Sequence, residues 1–189
     1  MKPSFKACRR YKNNFFPTLR LTSKQRTLLK KERKQIVKRY RLELTALQLI
    51  RTFYGQISSN AFAKILRTKK DFSSILMQLE QRLDVILVRS QLVPSLALAH
   101  VCLNLKKVKV NGKVTTAKGL RLGIGDIFSI ETPIDLVIRP HFGLLVNPKP
   151  RLPLHLETHF AAKTAIVIRK PQTIGFPYNL PLKDVPVWL

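Results

Sequence analysis

Residues 107–114 read Lys-Val-Lys-Val-Asn-Gly-Lys-Val, and this stretch is the sharpest local structural signal in the chain. Alternation places its first two valines on one face of a strand and its first two lysines on the other. Asn111-Gly112 comes next, a dipeptide that tolerates the positive φ angles of a two-residue hairpin turn. The stretch therefore predicts a β-hairpin whose outer face, including Lys113, is basic.

Two helices are predicted before the hairpin. Over residues 73–89, apolar side chains recur at helical spacing and polar ones occupy the other face, which indicates one amphipathic helix capped by Ser73 or Ser74. A second helix, 96–104, starts after Ser95 and is apolar on almost every side. A helix of that kind is expected to be buried on two sides.

Strands and turns are predicted after the hairpin. Gly125-Asp126 marks a turn. Alternating residues then indicate three strands, at 127–130, 154–158 and 164–169. Four prolines make the tail irregular: Pro171, Pro177, Pro181 and Pro186. The second half of the chain is therefore predicted to be a small module of helices and strands, followed by an extended tail.

The first third of the chain is predicted to be helical after a basic, irregular arm, 1–22, that orders on a partner. The predicted helices span 23–44, 46–54 and 59–67. The first is polybasic, with only Glu32 and Glu43 to offset its cations, whereas ordinary exposed helices mix both signs. A solvated face is the common explanation of such a run, but self-repulsion on this scale favours a bound polyanion.

The whole chain shares this excess of positive charge. Its 189 residues include 35 Lys+Arg and 10 Asp+Glu, a net charge of +25, and 45% of them are hydrophobic. A chain this apolar can build a core, which argues against disorder throughout, while the charge calls for a polyanionic partner. Nucleic acid is the first candidate because many Lys/Arg contacts release condensed counterions, and an acidic membrane surface is the second.

Membrane spans, metal centres and catalytic sites are disfavoured by what the sequence lacks. No apolar run approaches the roughly 20 residues of a membrane helix. Cys8 and Cys102 stand far apart without a CxxC pair, so neither a zinc site nor a disulfide is indicated. The histidines have no acid partner at telling spacing: His100, His141, His155 and His159. We therefore predict no metal, no cofactor and no catalytic residue.

Two interpretations of the N-terminus stay open. Before Glu32 the chain has no acid and is rich in Lys, Arg, Ser and Thr, which is typical of a mitochondrial transit peptide. An RNA-binding arm that is retained in the mature protein explains the same composition, and we favour it.

Four short motifs occur in order between residues 80 and 130. They are Arg82-Leu83-Asp84, Ser95 with Ala97 and Ala99, Val110-Asn111-Gly112-Lys113, and Gly125-Asp126-Ile127. Together they resemble the small RNA-binding module named after ribosomal protein S-four (S4). The defining residues are Arg82, Leu83, Asp84, Ser95, Asn111, Gly112, Gly125 and Asp126. The resemblance implies that these residues mostly specify the fold, while the basic residues that they position contact RNA.

The flanking sequences favour one family among those that carry the module. Residues 50–55 are similar to the Arg-x-x-Tyr-Gly stretch before the module in the small-subunit ribosomal protein, and 79–84 to its Leu-Glu-x-Arg-Leu-Asp. Residues 154–158 and 169–171 are similar to its closing segments. The opening and the tail resemble mitochondrion-encoded versions of the family, which implies that no transit peptide is needed.

We therefore predict an α+β fold in four parts. They are a basic N-terminal arm at 1–22, a helical RNA-binding section at 23–72, an S4-type module with a twisted, antiparallel-rich sheet at 73–145, and a strand-containing, Pro-rich segment at 146–189 that packs back on the body. The resemblance implies a non-catalytic component of the small ribosomal subunit in mitochondria. Its partners would be small-subunit rRNA and neighbouring ribosomal proteins, with no membrane and no small-molecule substrate.

The predicted RNA contacts are basic residues, because A-form RNA rewards contacts to phosphates and sugars. They are Arg9, Arg10, Lys30, Lys31, Arg33, Lys34, Lys38, Arg39, Arg51, Lys64, Arg67, Lys69, Lys70, Lys106, Lys107, Lys109 and Lys113. Tyr54 joins them as a residue able to stack on a base, although a helical tyrosine is more often a core residue.

Two other functions compete with this one. An RNA-modifying or tRNA-related enzyme would use the same module as a guide, but catalysis needs a second domain with a pocket, and only a short Pro-rich stretch follows the module. A membrane-surface protein would need a broad apolar helix face, and the stripe of helix 23–44 is too narrow.

One departure from the family concerns helix 96–104. The family usually carries charged residues at the positions of Leu96, Leu98 and His100, where its helix approaches RNA. Here two leucines replace them. We predict that Leu96 and Leu98 contact another protein or the C-terminal tail, and local repacking under the tail is the alternative.

Overall fold

The computed structural model describes residues 5–11, 20–30, 39–68, 72–131 and 152–171. The helices within them are α1 Phe5–Tyr11, α2 Ser23–Lys30, α3 Arg39–Phe53, α4 Ser59–Thr68, α5 Phe72–Glu80, α6 Leu83–Arg89 and α7 Leu96–Asn104. The strands are β1 Val108–Val110, β2 Lys113–Val114, β3 Ile127–Ile130, β4 Leu156–His159 and β5 Thr164–Val167. The chain forms two compact units: a helical unit, Met1–Phe72 with Gly175–Leu189, and a sheet unit, Ser73–Ile174.

The helices of the helical unit have clear start and stop signals. At the start of α2, the amide of Gln25 donates to the Thr22 hydroxyl at 3.3 Å and the amide of Thr22 donates to the Gln25 side chain at 3.1 Å, a reciprocal cap. α3 is followed by Gly55 at φ +81°, a left-handed conformation that favours glycine at a helix end. The buried residues of α3 are Ala46, Leu47, Leu49 and Ile50.

One predicted helix boundary in this unit is wrong. α3 runs without interruption through Thr45, where the helices predicted over 23–44 and 46–54 were expected to meet. A β-branched residue weakens a helix only slightly, so the burial of the residues that follow it decides the conformation. Residues 31–38 of the predicted polybasic helix lie outside the described residues. α4 confirms the helix predicted over 59–67.

The helix predicted over 73–89 is in fact two helices, α5 and α6. Arg82 between them is extended, with φ −70° and ψ 138°. The loop before β3 satisfies the backbone groups at the break, and the amide of Leu83 donates to the carbonyl oxygen of Leu120 at 2.8 Å. The apolar spacing continues in phase from α5 to α6, so periodicity alone does not reveal the break.

Of the serine caps predicted for the sheet unit, the one at α7 is present and the one at α5 is not. Ser95 caps α7, and its hydroxyl accepts a hydrogen bond from the amide of Leu98 at 3.3 Å. Ser73 and Ser74 do not cap α5, because that helix begins at Phe72 and both serines lie inside it. The extent of α7 agrees with the predicted helix 96–104.

The five strands form one antiparallel sheet in the order β2-β1-β3-β5-β4. Val108 pairs with Ile130, Val110 pairs with Phe128, and Phe128 also pairs with Ala165. Paired residues lie on the same face, so the apolar side chains of neighbouring strands are side by side. They join α6 and α7 in one buried cluster that includes Leu83, Ile86, Leu87, Ala99, Cys102, Leu103, Phe128 and Val167.

This architecture confirms the predicted α+β fold with an antiparallel sheet. The sheet also extends past residue 145, where the sequence places the end of the module, because β5 pairs with β3. Pairing between strands this far apart in sequence leaves no local signal. Residues 132–151 and the proline-rich tail after Pro171 lie outside the described residues.

Candidate nucleic-acid interface

Four predicted RNA contacts of the helical unit are exposed: Arg9, Lys30, Lys64 and Arg67. Lys64 and Arg67 are three residues apart on α4 and therefore neighbours on its surface. Phe62 and Ile65 of the same helix are buried. α4 thus has an apolar side and an opposite side that presents two cations.

Tyr54 is placed differently from expectation, and Arg51 forms a hydrogen bond within the chain. The side chain of Tyr54 is buried, and its ring lies edge-on to that of Phe53 with the centroids 5.1 Å apart. Arg51 is half-buried, and its Nε donates to the carbonyl oxygen of Ile57 at 3.0 Å, across the turn after α3. Tyr54 is therefore a core residue and not a surface for base stacking. Arg51 holds the turn, since its guanidinium satisfies a backbone oxygen.

The other predicted contacts of this unit cannot be placed. Arg10 and Arg39 lie in α1 and α3, but their side chains are outside the described part of the structure. The remaining residues are also outside it: Lys31, Arg33, Lys34, Lys38, Lys69 and Lys70.

The predicted hairpin is confirmed. β1 and β2 pair across Asn111 and Gly112, whose φ angles are +48° and +79°. A Cβ atom at Gly112 would meet no neighbouring atom within 4 Å, so glycine is favoured there for its backbone conformation and not for lack of space.

The lysines in and just before the hairpin differ in their exposure and contacts. Lys106, Lys107 and Lys113 are exposed. Nζ of Lys109 lies 2.5 Å from Oε1 of Glu131, and this hydrogen bond together with the charge of Lys109 lowers the pKa of the Glu131 carboxyl. Lys113 pairs with Val110 and therefore lies on the face of that valine. The prediction that Lys113 shares the outer face with Lys109 is wrong, because cross-strand register decides the face.

Asp126 connects the hairpin turn to the turn before β3. Its Oδ1 accepts a hydrogen bond from Nδ2 of Asn111 at 2.8 Å, and its Oδ2 accepts one from the amide of Gly123 at 2.6 Å. Oδ1 of Asn111 in turn accepts from the amide of Ile127 at 3.0 Å. Asn111 and Asp126 thus hold the basic hairpin in place.

Asp84 is the centre of a buried polar cluster. Arg82 donates from Nε and Nη2 to its two carboxylate oxygens, at 3.0 and 2.6 Å, and Nε2 of His100 lies 3.0 Å from Oδ2. His100 thus has an acid partner that no sequence spacing indicates, since the packing of α6 on α7 brings together residues that are 16 positions apart. The cluster fastens these two helices to each other.

A second ion pair and a buried histidine lie in the same unit. Arg89 donates from Nε and Nη2 to Glu80 at 2.9 and 2.8 Å, which joins α6 to α5. His155 is buried, and burial lowers its pKa, an effect that the charge of Glu80 opposes and the charges of Arg89 and Arg169 reinforce. Nε2 of His155 has no hydrogen-bond partner among the described residues. The imidazole is therefore most stable in its neutral form.

The described residues offer neither a metal site nor a membrane span. No three of their His, Cys, Asp or Glu side chains are grouped in a way that could hold a metal ion. None of their helices has both the length and the apolar character needed to cross a bilayer.

The leucines of α7 divide between core and surface. Leu96 and Leu98 are both half-buried, and Leu98 packs against the buried cluster of the sheet unit. The exposed apolar residues of this region are instead Ala97, Val101 and Leu105. Within the described structure α7 is therefore buried on one side, and the tail after Pro171, which the prediction offers as one cover for the other side, lies outside the described residues.

Several exposed cations were absent from the predicted set. They are Lys6, Arg20, Lys24, Arg26, Arg121, Arg169 and Lys170. Arg121 lies in the loop that bridges to Arg82, so it is close to the start of α6. None belongs to a motif of the module. Arg169 and Lys170 lie in a segment similar to the end of the family's sequence, and the only signal that marks the others is their charge.

Comparisons with known proteins agree with this architecture. The S4 domain family model matches residues 81–128. Small ribosomal subunit protein uS4m of Marchantia polymorpha is 32% identical, over 94% of this chain and 95% of its own length. Protein uS4 of Bartonella bacilliformis is 29% identical, over 76% of this chain and 72% of its own length. Protein uS4m of Reclinomonas americana is 28% identical, over 78% of this chain and 64% of its own length. The hairpin and the residues that hold it lie inside the segment matched by the S4 domain model, and a relative 32% identical is matched over almost its full length, so this chain belongs to the uS4 family of small ribosomal subunit proteins.

Proposed function

We propose that this chain is a structural, non-catalytic component of the small ribosomal subunit that binds its RNA and contacts neighbouring ribosomal proteins. Membership of the uS4 family, over nearly the full length of the Marchantia relative, is the observation that carries the proposal. The relatives from Marchantia and Reclinomonas bear the mitochondrial form of the name, uS4m, which supports a place in the mitochondrial ribosome. None of the three relatives named above is described as an enzyme.

The proposed mechanism is neutralisation of RNA phosphates combined with recognition of A-form shape. The candidate contacts with exposed side chains are Arg9, Lys30, Lys64, Arg67, Lys106, Lys107 and Lys113. The unplaced candidates belong to the same proposal: Arg10, Lys31, Arg33, Lys34, Lys38, Arg39, Lys69 and Lys70. Lys109 has a smaller part, since Glu131 already pairs with it.

The polar residues of the sheet unit support this mechanism indirectly. The Asp84 cluster fixes α6 against α7, and the Asn111–Asp126 link fixes the hairpin. Both keep cations in place before RNA arrives, so less conformational entropy is lost on binding. Asp84 and Asp126 therefore need no contact with RNA.

Crosslinking the full chain to RNA in cells, followed by sequencing of the bound fragments, tests the proposal. We expect fragments of small-subunit rRNA and sedimentation of the chain with small-subunit particles. Recovery of transfer RNA in place of rRNA, with no sedimentation in particles, would overturn the proposal and favour an enzyme that uses the module as a guide.

A further inference from the structure

Helix α7 carries an exposed apolar stripe. Ala97, Val101 and Leu105 follow one another at intervals of four residues, and the last two are 47% and 63% exposed. Residues four apart lie one above the other on a helix, so the three side chains form a continuous strip. Ala99, Cys102 and Leu103 are buried and anchor the helix to the core of the sheet unit.

The polar and large apolar groups beside the stripe are occupied within the unit. His100 contacts Asp84, Ser95 caps the helix, and Leu98 packs on the core. α7 is therefore held rigidly by its inner side, while its outer side presents only small and apolar side chains together with Asn104. A rigid helix face loses little entropy when a partner covers it.

The charge around the stripe is of one sign. Between Asp84 and Asp126 the chain has seven basic residues and no acid. Lys106 and Lys107 are exposed directly after the stripe. At the other end, the first turn of α7 has no acidic side chain to offset the partial positive charge of the helix N-terminus. A second copy of this chain, with its net charge of +25, would meet this surface with like charge.

We propose that the stripe formed by Ala97, Val101 and Leu105 is a docking surface for another protein, whose contact residues are apolar and flanked by Asp or Glu. Burial of the apolar side chains supplies affinity, and the positive field of this part of the chain favours acidic residues at the edge of the partner's contact surface, while Lys106 and Lys107 themselves stay candidate RNA contacts. The inference rests on the proposed function, because the partner is sought within the small ribosomal subunit. It moves the protein contact expected at Leu96 and Leu98 to the outer side of the helix, between these two leucines.

Photo-crosslinking from position 101 tests the proposal. The full chain is expressed in cells with benzoyl-phenylalanine in place of Val101, and small-subunit particles are isolated and irradiated. We expect a crosslink to a peptide of a different protein, identified by mass spectrometry, with Asp or Glu next to the crosslinked residue. A crosslink to RNA, to a second copy or to this chain itself, or no crosslink, would overturn the proposal.

A control position and a double variant complete the test. The same probe at Ile124, which is 60% exposed in the loop before β3, should not crosslink to that protein. Val101→Ser with Leu105→Ser should leave the melting temperature and RNA affinity unchanged but deplete the partner from particles several-fold. The control variant Ile124→Ser with Leu154→Ser replaces two residues that are at least as exposed, and it should not deplete the partner from particles. Equal partner content in all particles would contradict the proposal, whereas absence of the chain from particles would overturn the proposed function and this inference with it.

Discussion

The helical unit and the sheet unit carry their positive charge in different ways. The helical unit has 21 basic and 4 acidic residues, and the sheet unit has 14 and 6. Four acids of the sheet unit hold basic or amide groups in place: Glu80, Asp84, Asp126 and Glu131. Lys30 and Lys64 of the helical unit are exposed, and we propose that they bind a polyanion. The sheet unit thus uses several of its charges to hold its own fold together, whereas the charges proposed to bind RNA in the helical unit are exposed.

Removal of Asp84 should have the largest effect on this contrast. Asp84→Ala leaves Arg82 and His100 without their shared partner inside the sheet unit, which should cost about 3–5 kcal/mol of unfolding free energy. Urea unfolding followed by circular dichroism measures the loss. Glu131→Ala is the matched control, and it should have little effect because the pair with Lys109 is exposed. Equal losses in the two variants would show that burial of the cluster is not what matters.

The hairpin separates the structural and binding roles within the sheet unit. The double variant Asn111→Val with Gly112→Val places two β-branched residues at positive φ. It should lower the unfolding free energy of the unit by about 2–4 kcal/mol, because each such residue costs about 1–2 kcal/mol. The double variant Lys107→Ala with Lys113→Ala should leave the melting temperature unchanged and weaken RNA binding. The idea of separate roles fails if both double variants lower the melting temperature alike.

Acid should weaken the sheet unit through His155. Burial lowers its pKa in the folded state, so as pH falls below about 6.5 the unfolded chain takes up a proton first and stability declines. Above that pH the stabilisation is fully present. Urea midpoints between pH 8 and pH 5 should therefore decline less in His155→Leu than in the wild type. His159→Leu, at the exposed histidine that ends β4, should follow the wild type. A urea midpoint that declines as steeply in His155→Leu as in the wild type would contradict the role of His155.

The salt dependence of RNA affinity should distinguish free cations from paired ones. Removing one phosphate-binding cation lowers the slope of log affinity against log salt by about one. Ala substitution of Lys30, Lys64 and Arg67 should therefore lower it by about three, while Lys109→Ala alone should change it little, because Glu131 already pairs with Lys109. Filter binding at several salt concentrations measures both. A flat response in the wild type would rule out phosphate neutralisation.

Local signals explain which parts of the fold were predictable. The Asn-Gly turn, the alternation in β1 and β3 and the serine cap of α7 depend on residues near one another in sequence. The break at Arg82 was missed because the loop before β3 makes it, and that loop is almost forty residues away. The face of Lys113 was missed because the pairing of β1 with β2 assigns it.

Motif order, hydrophobic spacing and net charge were enough to predict the family, the fold class and a polyanionic partner, because these features do not depend on long-range geometry. Which polar residues are exposed depends instead on the tertiary structure. In that structure Tyr54 is buried in the core, His100 contacts Asp84, and Val101 and Leu105 are exposed. Side-chain burial and pairing follow from contacts between distant segments, and such contacts leave no mark in the local pattern of residues.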